Sequence, residues 1–170
     1  MNPFATLGID ARFDVDLSAV EKTHRELSRA LHPDRYLGAS ASERRAALGK
    51  AVEVNEAWRV VRDTIRRAEA LLAARGVTIR EGNEPKADPE FLMEMLEQRE
   101  ALAEARQARD LTAVTRLAHA IQERSTAAEA ALSQGFARGE SSSLIGKLGE
   151  LRFYRRFLDE VSAIEDELAA

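Results

Sequence analysis

Apolar residues recur along this chain at spacings of three and four, and the alternation of β-branched and polar residues that marks a strand is absent. A stripe of period 3.6 buries itself as one side of a helix, so the pattern restricts the chain to an all-α fold. Alanine, leucine, arginine and glutamate, all good helix formers, dominate the composition. From Leu17 to Leu31 the stripe is Leu17, Val20, Leu27 and Leu31, with His24 in the remaining slot. Lys22, Arg25 and Arg29 point the opposite way. Two starts suit this helix: Asp16 as N-cap, or Ser18 with Glu21 as a capping box. Pro33 ends it, because proline has no amide hydrogen and drives the preceding residue out of helical geometry.

The basic helix face therefore runs into a loop, His32-Pro33-Asp34, that displays an imidazole beside a carboxylate. Such a surface suits docking onto an acidic partner better than it suits chemistry. A histidine and a carboxylate can also share a metal. Against that, the chain has three histidines (His24, His32 and His119), none four residues from another, and no cysteine. The expectation is no metal site, no resident cofactor and no enzyme, for want of a nucleophile–base or metal constellation. His24 reads as a core or boundary residue of its helix. The tripeptide can also be a plain helix stop and turn, although that leaves the basic face unexplained.

A second long helix begins near Ser42 and runs at least to Val61, with Leu48, Val52, Asn55 and Trp58 as its inner face. A polar residue in that line calls for a partner, so Asn55 is expected to meet a backbone or loop group. The pattern continues through Ile65-Arg66-Arg67-Ala68-Glu69-Ala70-Leu71-Leu72 and stops at Gly76. Between Arg75 and Pro89 it lapses, punctuated by Gly76, Gly82, Asn83, Pro85 and Pro89. The expected organisation is a first domain over 1–75, a linker over 76–88 and a second domain over 89–170.

Beyond the linker come three helical segments, about Pro89–Arg109, Asp110–Ser133 and Glu140–Ala169, with Asp88 and Pro89 opening the first. Ser133-Gln134-Gly135 and Gly139 to Ser143 separate the last two. Short loops between long helices imply an antiparallel three-helix bundle. In the first segment Phe91, Met95 and Leu102 share one facet, with Leu92, Leu96 and Met93 lying progressively around from it beside Glu97 and Glu100. In the last, Leu144, Leu148, Leu151 and Leu158 form the core line, and Phe153 points nearly opposite to Leu151. The apolar arc is about 200° wide, against about 100° for a single core-facing stripe. Helical wheels leave two readings. Either the helix touches two neighbours and needs the extra width, or Leu92, Leu96 and Phe153 form an exposed patch for a protein partner.

Charge limits the partners. The formal net charge is −4, with no basic surplus to neutralise nucleic-acid phosphates. Residues 1–75 carry 13 basic and 11 acidic side chains, and residues 76–170 carry 12 and 18, so the positive surplus sits with the loop. The absence of cysteine suits a reducing compartment. No charged segment followed by an apolar core opens the chain, and no run approaches the roughly 18 apolar residues of a membrane span. The expected location is the cytoplasm, with no membrane partner.

The run Leu31-His32-Pro33-Asp34-Arg35-Tyr36 resembles the signature loop of J-domains, modules that stimulate ATP hydrolysis by Hsp70 chaperones. Asn2-Pro3-Phe4-Ala5-Thr6-Leu7-Gly8-Ile9 resembles their opening helix, and Val54-Asn55-Glu56-Ala57-Trp58-Arg59-Val60-Val61 their third. Further on, Phe91-Leu92-Met93-Glu94-Met95-Leu96-Glu97-Gln98-Arg99-Glu100, Leu151-Arg152-Phe153 and the junction Arg67-Ala68-Glu69-Ala70-Leu71-Leu72 resemble HscB-type co-chaperones of the bacterial kind, which lack the N-terminal zinc module of some eukaryotic members. The resemblance implies an all-α protein that brings an iron–sulfur scaffold protein (IscU-like) to a dedicated Hsp70 (HscA-like) and assists cluster assembly and transfer. It implies that His32, Pro33, Asp34 and Arg35 engage the Hsp70, helped by Lys22, Arg25 and Arg29. Leu92, Met93, Leu96, Glu97, Glu100 and Phe153 would receive the scaffold. Arg35 stands where that loop usually has lysine, which keeps the charge and alters the hydrogen-bond geometry. The alternative is a general J-domain chaperone that holds unfolded clients in its C-terminal bundle.

Overall fold

The computed structural model describes residues 2–77 and 88–169, so most of the expected linker, with Gly82, Asn83 and Pro85, lies outside the described residues. Every regular element among the described residues is helical. The chain divides into two units, Met1–Thr78 and Ile79–Ala170.

The first unit opens with α1 (Pro3–Leu7), capped by Asn2, whose side chain accepts from the amides of Phe4 and Ala5. Gly8 ends it in the left-handed conformation, at φ 66°, where a side chain would be strained. Phe4 and Leu7 are fully buried, so this short helix serves as a plug. Helix α2 (Leu17–Ala30) starts at Asp16, whose carboxylate accepts from the amides of Ser18 and Ala19; of the two possible starts, the chain uses this one. A 3-10 turn, Pro33–Tyr36, leads to α3 (Ala41–Arg62), which opens with a reciprocal capping box between Ser40 and Glu43.

The buried side of α3 is Ala47, Val54, Ala57 and Val61, which corrects the expected face. Leu48 and Val52 are 59% and 61% exposed. The reason is that α1 and α2 both pack on α3, and small residues let their backbones approach. A wheel drawn for one neighbour chooses the largest side chains and misses this. Asn55 meets a side chain rather than a backbone or loop group: its Oδ1 lies 2.9 Å from His24 Nε2. His24 stacks on Trp58 at 5.6 Å and 18°, so that half-buried ring closes the seam between α2 and α3. The helical pattern past Val61 is also broken. Asp63 ends α3 and caps α4 (Thr64–Ala74), accepting from the Arg66 amide.

The second unit contains α5 (Pro89–Gln107), α6 (Leu111–Ala137) and α7 (Leu144–Ala169). Phe91 meets Phe153, Arg99 pairs with Glu160 and Arg106 with Glu167, numbers that rise together, so α5 and α7 run the same way. Helix α6 runs against both, giving the antiparallel bundle. Its core holds Met95, Leu102, Val114, Ile121, Leu132, Leu148 and Phe157. Two details differ from the sequence reading. Leu158 is only half-buried, and the core line of α7 continues through Tyr154, Phe157, Val161 and Ile164. Helix α6 also runs through Ser133-Gln134-Gly135 without a break. Gly135 faces Leu144, and a Cβ there would lie 2.3 Å from Leu144 Cδ2, so this glycine serves close packing rather than a turn.

Candidate functional site

In the first unit the loop is built by a helix stop. His32 has extended backbone angles and caps the 3-10 turn, its Nδ1 accepting from the Asp34 amide at 3.3 Å. The same nitrogen lies 3.5 Å from Asp34 Oδ2, so a protonated imidazole would face a carboxylate across the turn. Arg35 N–H donates to the His32 carbonyl at 3.0 Å, and the Tyr36 hydroxyl donates to the Ala30 carbonyl at 3.5 Å, which ties the turn to the end of α2. His32, Pro33, Asp34 and Arg35 are all exposed. So are Lys22, Arg25 and Arg29 on α2. Arg25 donates to Glu21 at 2.5 Å, one turn away. Arg29 sits in the last turn of α2, where a cation complements the helix dipole. The loop and the basic stripe are thus both exposed to solvent, the stripe on α2 and the loop on a hydrogen-bonded turn at its end. The His24–Asn55–Trp58 seam behind them was visible in the sequence as a histidine, an asparagine and a tryptophan at core-side positions, but not as one cluster.

In the second unit Leu92, Met93 and Leu96 are 41%, 59% and 50% exposed, while Met95 on the same turns is buried. Glu97 and Glu100 are exposed beside them. Phe153 on α7 is half-buried, its ring edge-to-face with Phe91 at 5.6 Å and covered on one side by the Arg156 guanidinium at 5.1 Å. Phe91, which the sequence grouped with the core, is therefore the residue that joins Phe153 to the α5 stripe. Two further residues were not legible in advance: Glu94 and Arg124 form an ion pair from α5 to α6 beside the patch. Arg124 holds the Glu94 carboxyl below its ordinary range by donating a hydrogen bond, against the opposing effect of burial. Burial raises the Tyr154 hydroxyl, helped by the charge of Glu150. Among the described residues no three of histidine, aspartate and glutamate converge as a metal site would require. No helix in the described residues is long and apolar enough to cross a membrane.

The second unit thus exposes an apolar face bordered by carboxylates, and the first a basic face ending in an exposed loop, and related proteins carry the same architecture. Residues 87–162 match the family model of the HSCB C-terminal oligomerisation domain. The chain is 33% identical over 165 residues to a co-chaperone protein HscB homolog from Cupriavidus taiwanensis, covering 97% of this chain and 94% of that one. It is 32% identical over 160 residues to a Neisseria meningitidis homolog, covering 94% and 96%. Its fold matches the chaperone HscB from Vibrio cholerae with a TM-score of 0.88, at 30% identity and 99% coverage of both chains. Human co-chaperone protein HscB shares the fold, with a TM-score of 0.89 at 21% identity, over 97% of this chain and 82% of that one. The first unit accordingly has the J-domain fold and the second is the helical bundle that accompanies it, in a co-chaperone rather than an enzyme. By sequence and by fold, this chain belongs to the HscB co-chaperone family.

Proposed function

We propose that this protein is a cytoplasmic adaptor. It stimulates the ATPase of a dedicated, HscA-like Hsp70 through His32, Pro33, Asp34 and Arg35, with Lys22, Arg25 and Arg29 steering the encounter. It delivers an IscU-like iron–sulfur scaffold protein bound at Leu92, Met93, Leu96, Glu97, Glu100 and Phe153, and so assists cluster assembly and transfer. The domain roles follow: residues 1–75 act on the Hsp70, 76–88 link, and 89–170 hold the scaffold.

The observation that carries this reading is the solvent exposure of Leu92, Met93 and Leu96 on a helix whose neighbouring Met95 is buried. An apolar stripe left open on a rigid helix suits one complementary partner surface. A holdase for unfolded clients would be expected to use a flexible or loop-borne surface that repacks, which makes the adaptor the better reading. Exposed cations on α2 suit steering because long-range attraction raises the association rate without fixing geometry. The loop itself is exposed, and the His32 side chain is directed by its bond to the Asp34 amide rather than by burial.

The test is a steady-state Hsp70 ATPase assay with and without scaffold protein. His32→Gln and Asp34→Asn should remove stimulation while leaving melting nearly unchanged, since exposed loop changes shift stability by about 0.5 kcal/mol or less. Wild-type stimulation by well-folded His32→Gln protein would remove the loop from the mechanism.

A further inference from the structure

Glu94 lies between Met93 and Met95 on α5, and it leaves the Leu92–Leu96 stripe to reach α6. There its Oε1 accepts a hydrogen bond from Arg124 Nη2. Both side chains are partly shielded, 38% exposed for Arg124 and 44% for Glu94. The pair is mutually reinforcing: each partner stabilises the charged form of the other. The phenol of Tyr154 on α7 lies within electrostatic reach of both charges, and its ring meets Phe91 at 5.8 Å, edge-on. At the level of the patch, Arg124 therefore ties α6 to α5.

What this pair adds to apolar packing is direction. Burial of Met95 and Leu102 decides which side of α5 faces the core. The hydrophobic effect is non-directional, so burial alone tolerates a small roll of the helix. A charge-assisted hydrogen bond is short and angular and resists that roll. Further along, past Leu96, α5 is held to α7 by Arg99–Glu160 at 3.9 Å and Arg106–Glu167 at 2.5 Å. We propose that Arg124 is a positioning residue for partner binding: by gripping Glu94 it fixes the roll of α5, and with it the direction in which Leu92, Met93 and Leu96 face the partner. This rests on the reading of that face as the scaffold-docking surface.

The experiment titrates an IscU-like scaffold protein into the full-length chain and its variants, with melting and amide exchange over residues 89–97 recorded in parallel. Arg124→Met should weaken binding about threefold to fivefold, because a partner that binds one orientation loses affinity in proportion to that orientation's population. Exchange over 89–97 should rise, with little change in melting. Arg124→Lys, which keeps a donor and the charge, should recover most of the affinity. The charge swap Glu94→Arg with Arg124→Glu should recover it too. Leu96→Ala is the control for the surface itself. If Leu96→Ala loses binding while Arg124→Met binds like wild type, the positioning role is wrong and the docking surface stands. If Leu96→Ala binds like wild type, the surface reading falls and this proposal falls with it. Should Arg124→Met melt far below wild type, the swap decides: a swapped protein that melts normally yet stays weak overturns the role.

Discussion

Leu96 and Leu102 lie six residues apart on α5, yet the same substitution should do opposite things to them. Leu102 is 1% exposed and Leu96 is 50% exposed. Cutting Leu102 to alanine loses the transfer energy of the deleted carbons and leaves a cavity, a cost of about 2–5 kcal/mol. At Leu96 roughly half of that transfer energy is already forgone and no enclosed cavity forms, so the cost is about 1 kcal/mol or less. For a domain of this size each kcal/mol moves the melting temperature by about 4–8 °C. Binding should reverse the order. Leu96→Ala removes an anchor and should weaken scaffold affinity by at least about tenfold, or 1.4 kcal/mol. Leu102→Ala, measured where it is folded, should bind nearly as wild type. Adding Leu92→Ala and Phe153→Ala should deepen the binding loss and leave ATPase stimulation by the protein alone intact. Phe153 should carry the larger melting penalty of the two, because its ring packs on Phe91. Parallel thermal melts and scaffold titrations decide the matter. A Leu96→Ala protein that melts as low as Leu102→Ala would return Leu96 to the core and refute the exposure argument.

Three other outcomes follow from the same structure. Gly135→Ala should destabilise the second unit by about 1–2 kcal/mol, because overlap with buried Leu144 outweighs the helix propensity gained; in a Leu144→Ala background it should become neutral or stabilising, and an unchanged penalty there would refute the contact. The Glu94–Arg124 pair should stabilise the fold above the ordinary carboxyl value of 4.5 and cease to do so as pH falls through the lowered folded value. Glu94→Gln should thus melt below wild type at pH 7, by less than about 1 kcal/mol for a pair this exposed, and the gap should narrow as pH falls below 4.5; a gap that stays constant with pH would contradict this. Lacking cysteine, the isolated chain should bind no iron–sulfur cluster, since thiolates are the usual ligands; iron in a partner-free preparation would count against it.

The all-helical class, the stop at Pro33 and the opening at Asp88 were legible in the chain because each depends on residues within a turn or two of itself, whereas the start of α2 was narrowed only to Asp16 or Ser18. The exposed loop and the basic stripe were legible for the same reason: a proline and a helical period are local facts. Packing was different. Leu48 and Val52 looked like the inner face of α3, but α1 and α2 converge on the small residues beside them, and that convergence is a property of three segments at once. Gly135 looked like a break until Leu144, nine residues on, folded back against it. The choice between core and open surface for Leu92 and Leu96 depended on where α6 and α7 stop covering α5, which no wheel of one helix contains. The Glu94–Arg124 pair joins residues 30 positions apart. Periodicity states which residues share a side of a helix; only the assembled bundle decides which side meets protein and which meets water.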